Sequence, residues 1–363
     1  METKRLLSLD SLRGFTIAAM ILVNNPGTWG HVYAPLLHAE WNGLTPTDLI
    51  FPFFLFIVGV SIALAYTKRI EQGIKPNKLY GKIISRSIKI FVVGLLLNYI
   101  HHFSFAELRI AGVLQRIAVV FLVCSLLFVH TKWKTQAIIG AFLLLGYWLT
   151  MMFIPTPGHG SPMLEPGINL AAWIDSYLLP GKMWNTTWDP EGLYSTLPAI
   201  ATGIFGMLTG KLIVGNLSQE RKIIWLFSIG TIACIVGYLW SLHFPINKNL
   251  WTSSFVLVTG GMALVLLALL MFFVDGLNYK KVAHVGIVFG ANAITVYVLA
   301  DLLTFLFYRT KFWGQSLNNH FLNGATTLGA SMELASLLYA LVFIAINFIP
   351  AWVLFRKKIF IKL

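Results

Sequence analysis

Apolar residues run through this chain in blocks of about twenty, the length an α-helix needs to cross a hydrocarbon core at 1.5 Å per residue. Such blocks lie near 9–28, 47–66, 83–101, 110–130 and 136–154, and again near 193–214, 223–243, 253–274, 282–308 and 332–355. The pattern predicts an all-α polytopic membrane bundle of about ten transmembrane helices. No long polar block separates them, so residues 1–363 read as a single transmembrane domain. Pro52 and Pro198 fall inside blocks, which membrane helices accommodate when neighbours re-satisfy the freed backbone groups. The basic start METKRLL resembles a signal peptide, but no small-residue cleavage site precedes Asn24 and Pro26, and a retained first helix is expected.

Composition removes the soluble alternative. Of the 363 residues 57% are hydrophobic and 11% charged, against about 25% charged in an ordinary soluble domain. The net charge of +13 raises the question of nucleic acid. The basic residues sit in short loops, however, and the soluble basic face that nucleic acid requires is missing.

With the N-terminus inside, alternate loops carry Lys4 and Arg5, then Lys68, Arg69, Lys75, Lys78 and Lys82, then Lys132 and Lys134. Lys211, Arg221, Lys222, Lys280, Lys281, Arg356, Lys357, Lys358 and Lys362 continue the series. The opposite loops hold Arg109, Lys182, Lys248, Arg309 and Lys311. The positive-inside rule then predicts cytoplasmic termini, with residues 26–46 and 155–192 outside. The second of these stretches is rich in Gly, Pro and Trp and too long for a mere connector, so a structured lid or vestibule is expected. Its Trp173, Tyr177, Trp184 and Trp188 suit either sugar stacking or an interfacial aromatic belt. Cys124 and Cys234 lie in apolar blocks and read as small hydrophobic residues.

Ionisable groups in membrane segments are expensive and therefore mark function or pairing. Asp10 and Arg13 are three apart on one helix face, a spacing for a salt bridge or for cofactor binding. His38 precedes Asp48 by ten residues, with Asn24 near the end of the first block. A carboxylate on one imidazole nitrogen would fix the tautomer and support a base, although a loop histidine and an N-cap aspartate share the same spacing. In RIAGVLQRIAVV, Arg109 and Arg116 are two turns apart with Gln115 between them, roughly 10 Å along a helix axis. Such a stripe serves either a phosphate-bearing ligand or pairing with a membrane carboxylate such as Asp301, with Asn292 nearby in sequence. His101 and His102 are adjacent and lack further ligands at metal spacing, so no metal is expected.

The segments RLLSLDSLRGFTIAAMILVNNPG, HAEWNGLTPTDLIFPFFLFIVGVSIA and LRIAGVLQRIAV resemble the heparan-alpha-glucosaminide N-acetyltransferase family and its bacterial relatives. DPEGLYSTLPAI, INKNLWTSSFVL and GANAITVYVLAD extend the resemblance over nearly the whole chain. It implies transfer of an acetyl group from cytoplasmic acetyl-CoA to the amino group of a glucosamine-type sugar or glycan on the far side. It also implies His38 as general base or transient acetyl carrier, supported by Asp48 and Asn24. Cofactor phosphates would fall near Arg13, Arg86 or Lys89, with Gln115 and Arg116 along the channel and Arg109 at the pantetheine arm or the acceptor. A homodimer in a lipid membrane is implied as well. The chain begins almost at its first helix motif, which leaves no counterpart of a large lumenal domain and shifts the expected acceptor from heparan sulfate to periplasmic amino sugars or wall fragments. Size and helix count suggest a bacterial inner membrane. An amino-sugar permease and a purely structural envelope protein are the competing classes, and O-acetylation competes within the enzyme class.

Overall fold

A computed structural model describes residues 6–361. Lys4, Arg5 and Lys362, three charges used above to orient the chain, lie outside the described residues. Among these residues nine helices are long and apolar enough to cross a membrane. They are Leu7–Asn24, Pro46–Glu71, Asn77–His101, Val113–His130, Trp133–Phe153, Thr196–Val214, Gln219–Trp240, Ser253–Gly276 and Met332–Arg356. Each matches an expected block to within several residues.

The tenth block departs from expectation. Instead of one span over 282–308, Ala283–Ala291 and Ala293–Arg309 meet at 82°. Asn292 sits in the break at φ −131° and ψ 43°. Its Nδ2 donates to the Ile359 carbonyl at 3.0 Å, and its Oδ1 accepts from the Ile361 N–H at 2.9 Å. The amide thus bonds distant backbone, and a residue able to do so competes with helix continuity.

Backbone contacts divide the chain into two units. The first holds residues 6–39, 45–50 and 269–361. It comprises α1 (Leu7–Asn24), and at the far end of the chain α10 (Lys280–Ala291), α11 (Ala293–Thr304), α12 (Leu317–Thr327) and α13 (Met332–Arg356). A two-residue hairpin, β1 (Lys311–Phe312) with β2 (Gln315–Ser316), precedes α12. α1 lies along α10 through glycine. A Cβ on Gly14 would stand 1.7 Å from the Gly286 carbonyl oxygen, and one on Gly290 2.0 Å from that of Asp10. Small residues permit such backbone approach between membrane helices. Gly14→Leu is expected to lower the thermal unfolding midpoint in detergent, as overpacking by roughly 1–3 kcal/mol or more would. Gly81→Ala, where the added Cβ meets nothing within 4 Å, is the neutral control.

The second unit holds residues 40–44 and 51–268. Its helices are α2 (Ile50–Glu71), α3 (Asn77–His102), α4 (Val113–His130), α5 (Trp133–Phe153), α6 (Leu170–Leu178), α7 (Thr196–Val214), α8 (Gln219–Trp240) and α9 (Ser253–Leu270). α7 is pressed against α2, since a Cβ on Gly59 would lie 2.0 Å from the Gly203 carbonyl oxygen and one on Gly206 2.0 Å from that of Phe56. Phe56, Phe244, Trp251 and Phe255 are fully buried. Outward rows of Ile84, Ile88, Val92 and Leu96 on α3 and Ile138, Phe142, Leu145 and Leu149 on α5 are exposed. Rows of this kind would be a liability in water and are the normal lipid-facing surface of a membrane bundle.

Candidate active site

In the first unit, the connection after α1 builds a histidine–carboxylate pair. Thr45 caps the short turn Pro46–Leu49, where Pro46 pre-sets the first dihedral and Asp48 reaches back to the cap. Asp48 Oδ2 accepts the N–H groups of Thr45 (3.0 Å) and Ala39 (3.1 Å), and the Thr45 hydroxyl lies 3.0 Å away. Asp48 Oδ1 is 2.7 Å from His38 Nδ1. The carboxylate side chain is 1% exposed while the imidazole is 49% exposed. A buried, multiply bonded carboxylate therefore holds the proton on Nδ1 and leaves Nε2 as the basic nitrogen of an accessible ring.

Asn24 is the last residue of α1 and is exposed, and α1 packs against the Pro46–Leu49 turn. The next residue, Asn25, is buried. Its Nδ2 donates to Ile21 O at 3.0 Å while its Oδ1 has no partner among the described residues. Sequence reasoning singled out Asn24 and passed over Asn25, and the Asn-Asn doublet was the signal for both. Arg13 bonds Asp10 at 3.0 Å, as the spacing of three predicts, and its Nη1 is 3.4 Å from Gly290 O.

In the second unit a buried arginine cluster occupies the loop before α7. Arg109 does not continue α4, which starts only at Val113, so the expected two-turn stripe with Arg116 does not form. Asn98 Nδ2 instead bonds Arg109 O (2.7 Å) and Ala111 O (3.1 Å), giving this loop backbone a partner outside the helix. The Arg109 side chain forks onto Asp189 at 2.7 and 2.5 Å, reaches Glu191, and lies over the Trp184 ring at 5.0 Å. The carboxylate partners therefore come from the DPEG segment, whereas Asp301 belongs to the first unit. Burial opposes charge on both Arg109 and Asp189. Their mutual hydrogen bond and field more than offset it, so the guanidinium is held above and the carboxyl below its ordinary range.

Arg116, in the first turn of α4, is 2% exposed. Its Nη2 donates to Gly192 O at 2.9 Å and Ser195 Oγ at 2.5 Å, and its guanidinium lies 5.1 Å from the Trp251 ring. Nε and Nη1 have no partner among the described residues, and neither has Nε2 of the adjacent buried Gln115. Trp251 itself is held at φ 52°, a region that bulky residues occupy only when their surroundings impose it. Phe51 and Phe255 pack edge-on against its ring, and its Nε1–H bonds Thr202 Oγ1 at 3.1 Å.

The end of the HAEWNG segment belongs to this unit too. Trp41 Nε1–H donates to Leu164 O (3.0 Å) and the ring meets Trp188 edge-on at 5.1 Å. Asn42 Oδ1 accepts from Nδ2 of the fully buried Asn247 at 3.0 Å. Asn42 and Asn247 were not chosen from the sequence, although both lie in the quoted motifs. Tyr177 and Trp184 of the long loop are strongly exposed, and Trp173 meets Tyr177 at 4.9 Å. Arg86 and Lys89 are exposed on α3, with Arg86 over the Phe121 ring at 4.9 Å. Among the described residues no group of three or more His, Cys, Asp or Glu is placed to hold a metal, and the His102 side chain is outside them.

Asp175 of α6 was also overlooked. It is 2% exposed and accepts the Tyr194 N–H at 3.0 Å. Burial pushes its carboxyl up to about 6, against the weaker pull of the Tyr194 N–H and Arg116. A carboxyl raised in the fold contributes stability at low pH that is lost as pH rises through about 6. The thermal midpoint is therefore expected to fall between pH 4 and 7 by an amount equivalent to roughly 3 kcal/mol at most, and Asp175→Asn is expected to flatten that segment of the curve.

An all-α bundle with helices long and apolar enough to cross a membrane defines a multi-pass membrane protein, whose first unit holds an accessible histidine bonded to a buried carboxylate. The model of the heparan-alpha-glucosaminide N-acetyltransferase catalytic region matches residues 5–245, and the chain belongs to that family. The resemblance read from the motifs is thereby borne out. Mouse heparan-alpha-glucosaminide N-acetyltransferase is 29% identical over 425 aligned residues, covering 100% of this chain and 61% of its own length. The human protein of that name is 29% identical over 424, covering 99% and 60%. The chain thus spans about three fifths of the length of these relatives. His38, Asp48, Asn24, Arg109 and Arg116 all fall within the matched residues.

Proposed function

We propose that residues 1–363 act as one acyltransferase domain that moves an acetyl group from cytoplasmic acetyl-CoA to the amino group of a glucosamine-type acceptor across the membrane. The observation that carries this reading is the 2.7 Å contact between accessible His38 and buried Asp48, in a family named for N-acetyl transfer. His38 Nε2 takes a proton from the sugar nitrogen. The nitrogen attacks the thioester carbonyl carbon, the C–N bond forms as the C–S bond breaks, and the proton leaves with the thiolate as the CoA thiol. A version in which His38 carries the acetyl group uses the same nitrogen as nucleophile. Asn24 donates to the acetyl oxygen or positions the amine.

The exposed cations Arg86 and Lys89 suit the cofactor phosphates, with Arg13 at the Asp10 pair as the alternative anchor. The unpartnered donors of Arg116 and Gln115 suit the carbonyl oxygens of the pantetheine arm. Arg109, already forked onto two carboxylates, is assigned to shaping the acceptor side. With the bent pair Ala283–Arg309 counted as one crossing, the loop charges favour both termini in the cytoplasm and residues 26–46 and 155–192 outside. That arrangement fits a bacterial inner-membrane enzyme, as a homodimer, acting on periplasmic amino sugars. Purified protein given acetyl-CoA and glucosamine is expected to yield N-acetylglucosamine and free CoA in equal amounts. Sugar uptake into vesicles without product would favour a permease.

A further inference from the structure

We propose that Asp175 is a positioning residue for Arg116, holding the turn that fixes the guanidinium, an inference that rests on Arg116 contacting the acyl donor. Asp175 accepts from the Tyr194 N–H at 3.0 Å and from the Leu193 backbone. Its Oδ2 would lie 1.7 Å from a Cβ built on Gly192, so the carboxylate rests directly on that residue. Gly192 O and Ser195 Oγ are the two acceptors that hold Arg116 Nη2. Gly192 O also accepts from Thr196 Oγ1 at 2.7 Å. One carboxylate therefore bonds the same Gly192–Ser195 turn that holds the arginine. Nε and Nη1 have no partner among the described residues, and their position depends on the Nη2 bonds to this turn.

Keeping a charge at Asp175 is costly to the fold, because burial dominates its environment and moves its titration to about 6. The charged and titratable groups that act on it are Arg116 from α4, Tyr147 from α5, and Asp189 in the loop. Tyr194, at the entry to α7, supplies its N–H. Arg116 is the cation whose field lowers the Asp175 titration, and the charge of Asp189 raises it. Ionised, the carboxylate is the stronger acceptor for the turn; protonated, it is a weaker one.

Dissociation constants for acetyl-CoA, measured on the full chain in detergent between pH 5 and pH 8, separate positioning from simple support. Asp175→Asn is expected to bind about tenfold more weakly than wild type at pH 7.5, with the ratio shrinking towards one at pH 5, where wild type is protonated too. Asp175→Glu restores most of the affinity at pH 7.5, and Asp175→Asn adds little in an Arg116→Lys background. A ratio that does not change with pH, or effects that multiply in the double variant, would overturn the proposal. If Arg116→Lys leaves acetyl-CoA binding untouched, the donor reading of Arg116 fails instead. Asp175 is then judged by amide exchange over residues 192–196, corrected for intrinsic rates. Protection lost below pH 6 in wild type, constant in Asp175→Asn and altered by Arg116→Lys sustains the coupling; protection that ignores pH in wild type contradicts it.

Discussion

Replacing His38 with alanine is expected to reduce acetyl transfer by about 10²- to 10⁴-fold, the usual contribution of a positioned general base, and more if the ring carries the acetyl group. The imidazole is 49% exposed, so little packing is lost with it. The thermal midpoint in detergent should accordingly stay within a degree or two of wild type. Asp48→Asn keeps the shape of the carboxylate but removes the charge that fixes the proton on Nδ1. It is expected to lose much of the same activity while also weakening the bonds to Thr45 and Ala39, so stability should drop slightly. Steady-state rates together with unfolding curves for both variants check the pair: a His38→Ala protein that retains half its rate leaves the pair without a catalytic task.

The second large effect concerns folding. Arg109→Leu strips the two arginine hydrogen bonds from Asp189, whose side chain is 0% exposed, and the cation from Glu191 at 10% exposed, leaving Asp189 with the N–H groups of Trp184 and Glu191. Removing one member of a buried pair typically costs about 3–5 kcal/mol, because the remaining charge is left without its counter-ion, and the two N–H groups still on Asp189 offset part of that cost. The loss should appear as a steep fall in the unfolding midpoint and in the yield of folded protein. Arg109→Leu combined with Asp189→Leu is expected to recover part of it, since no bare carboxylate is then left at position 189. Equal stability of the single and double variants would show that the ion pair does not organise the loop before α7.

The spans were legible because a helix in lipid must be apolar over its whole length, a signal that needs no knowledge of neighbours. The break at Asn292 was not, since a lone amide in an apolar run declares itself only through its partners at Ile359 and Ile361. The His38–Asp48 pair was readable, first as a spacing of ten and then more sharply through the motif around it. Arg109 was readable as unusual but its partners were not: Asp189 and Glu191 lie some eighty residues away, and Gly112 at the cap of α4 already separates it from the Arg116 stripe. Asn42 and Asn247 meet across 205 residues. Asp175 sits in AAWIDSYL, where nothing local distinguishes a buried carboxylate from one on a solvated face.

The central claim is sided transfer through His38. Liposomes holding the protein and loaded with radiolabelled acetyl-CoA, with glucosamine supplied outside, read it directly. Labelled N-acetylglucosamine appearing outside with wild type and falling to background with His38→Ala is the predicted result; glucosamine entering the vesicles with no labelled product would contradict it.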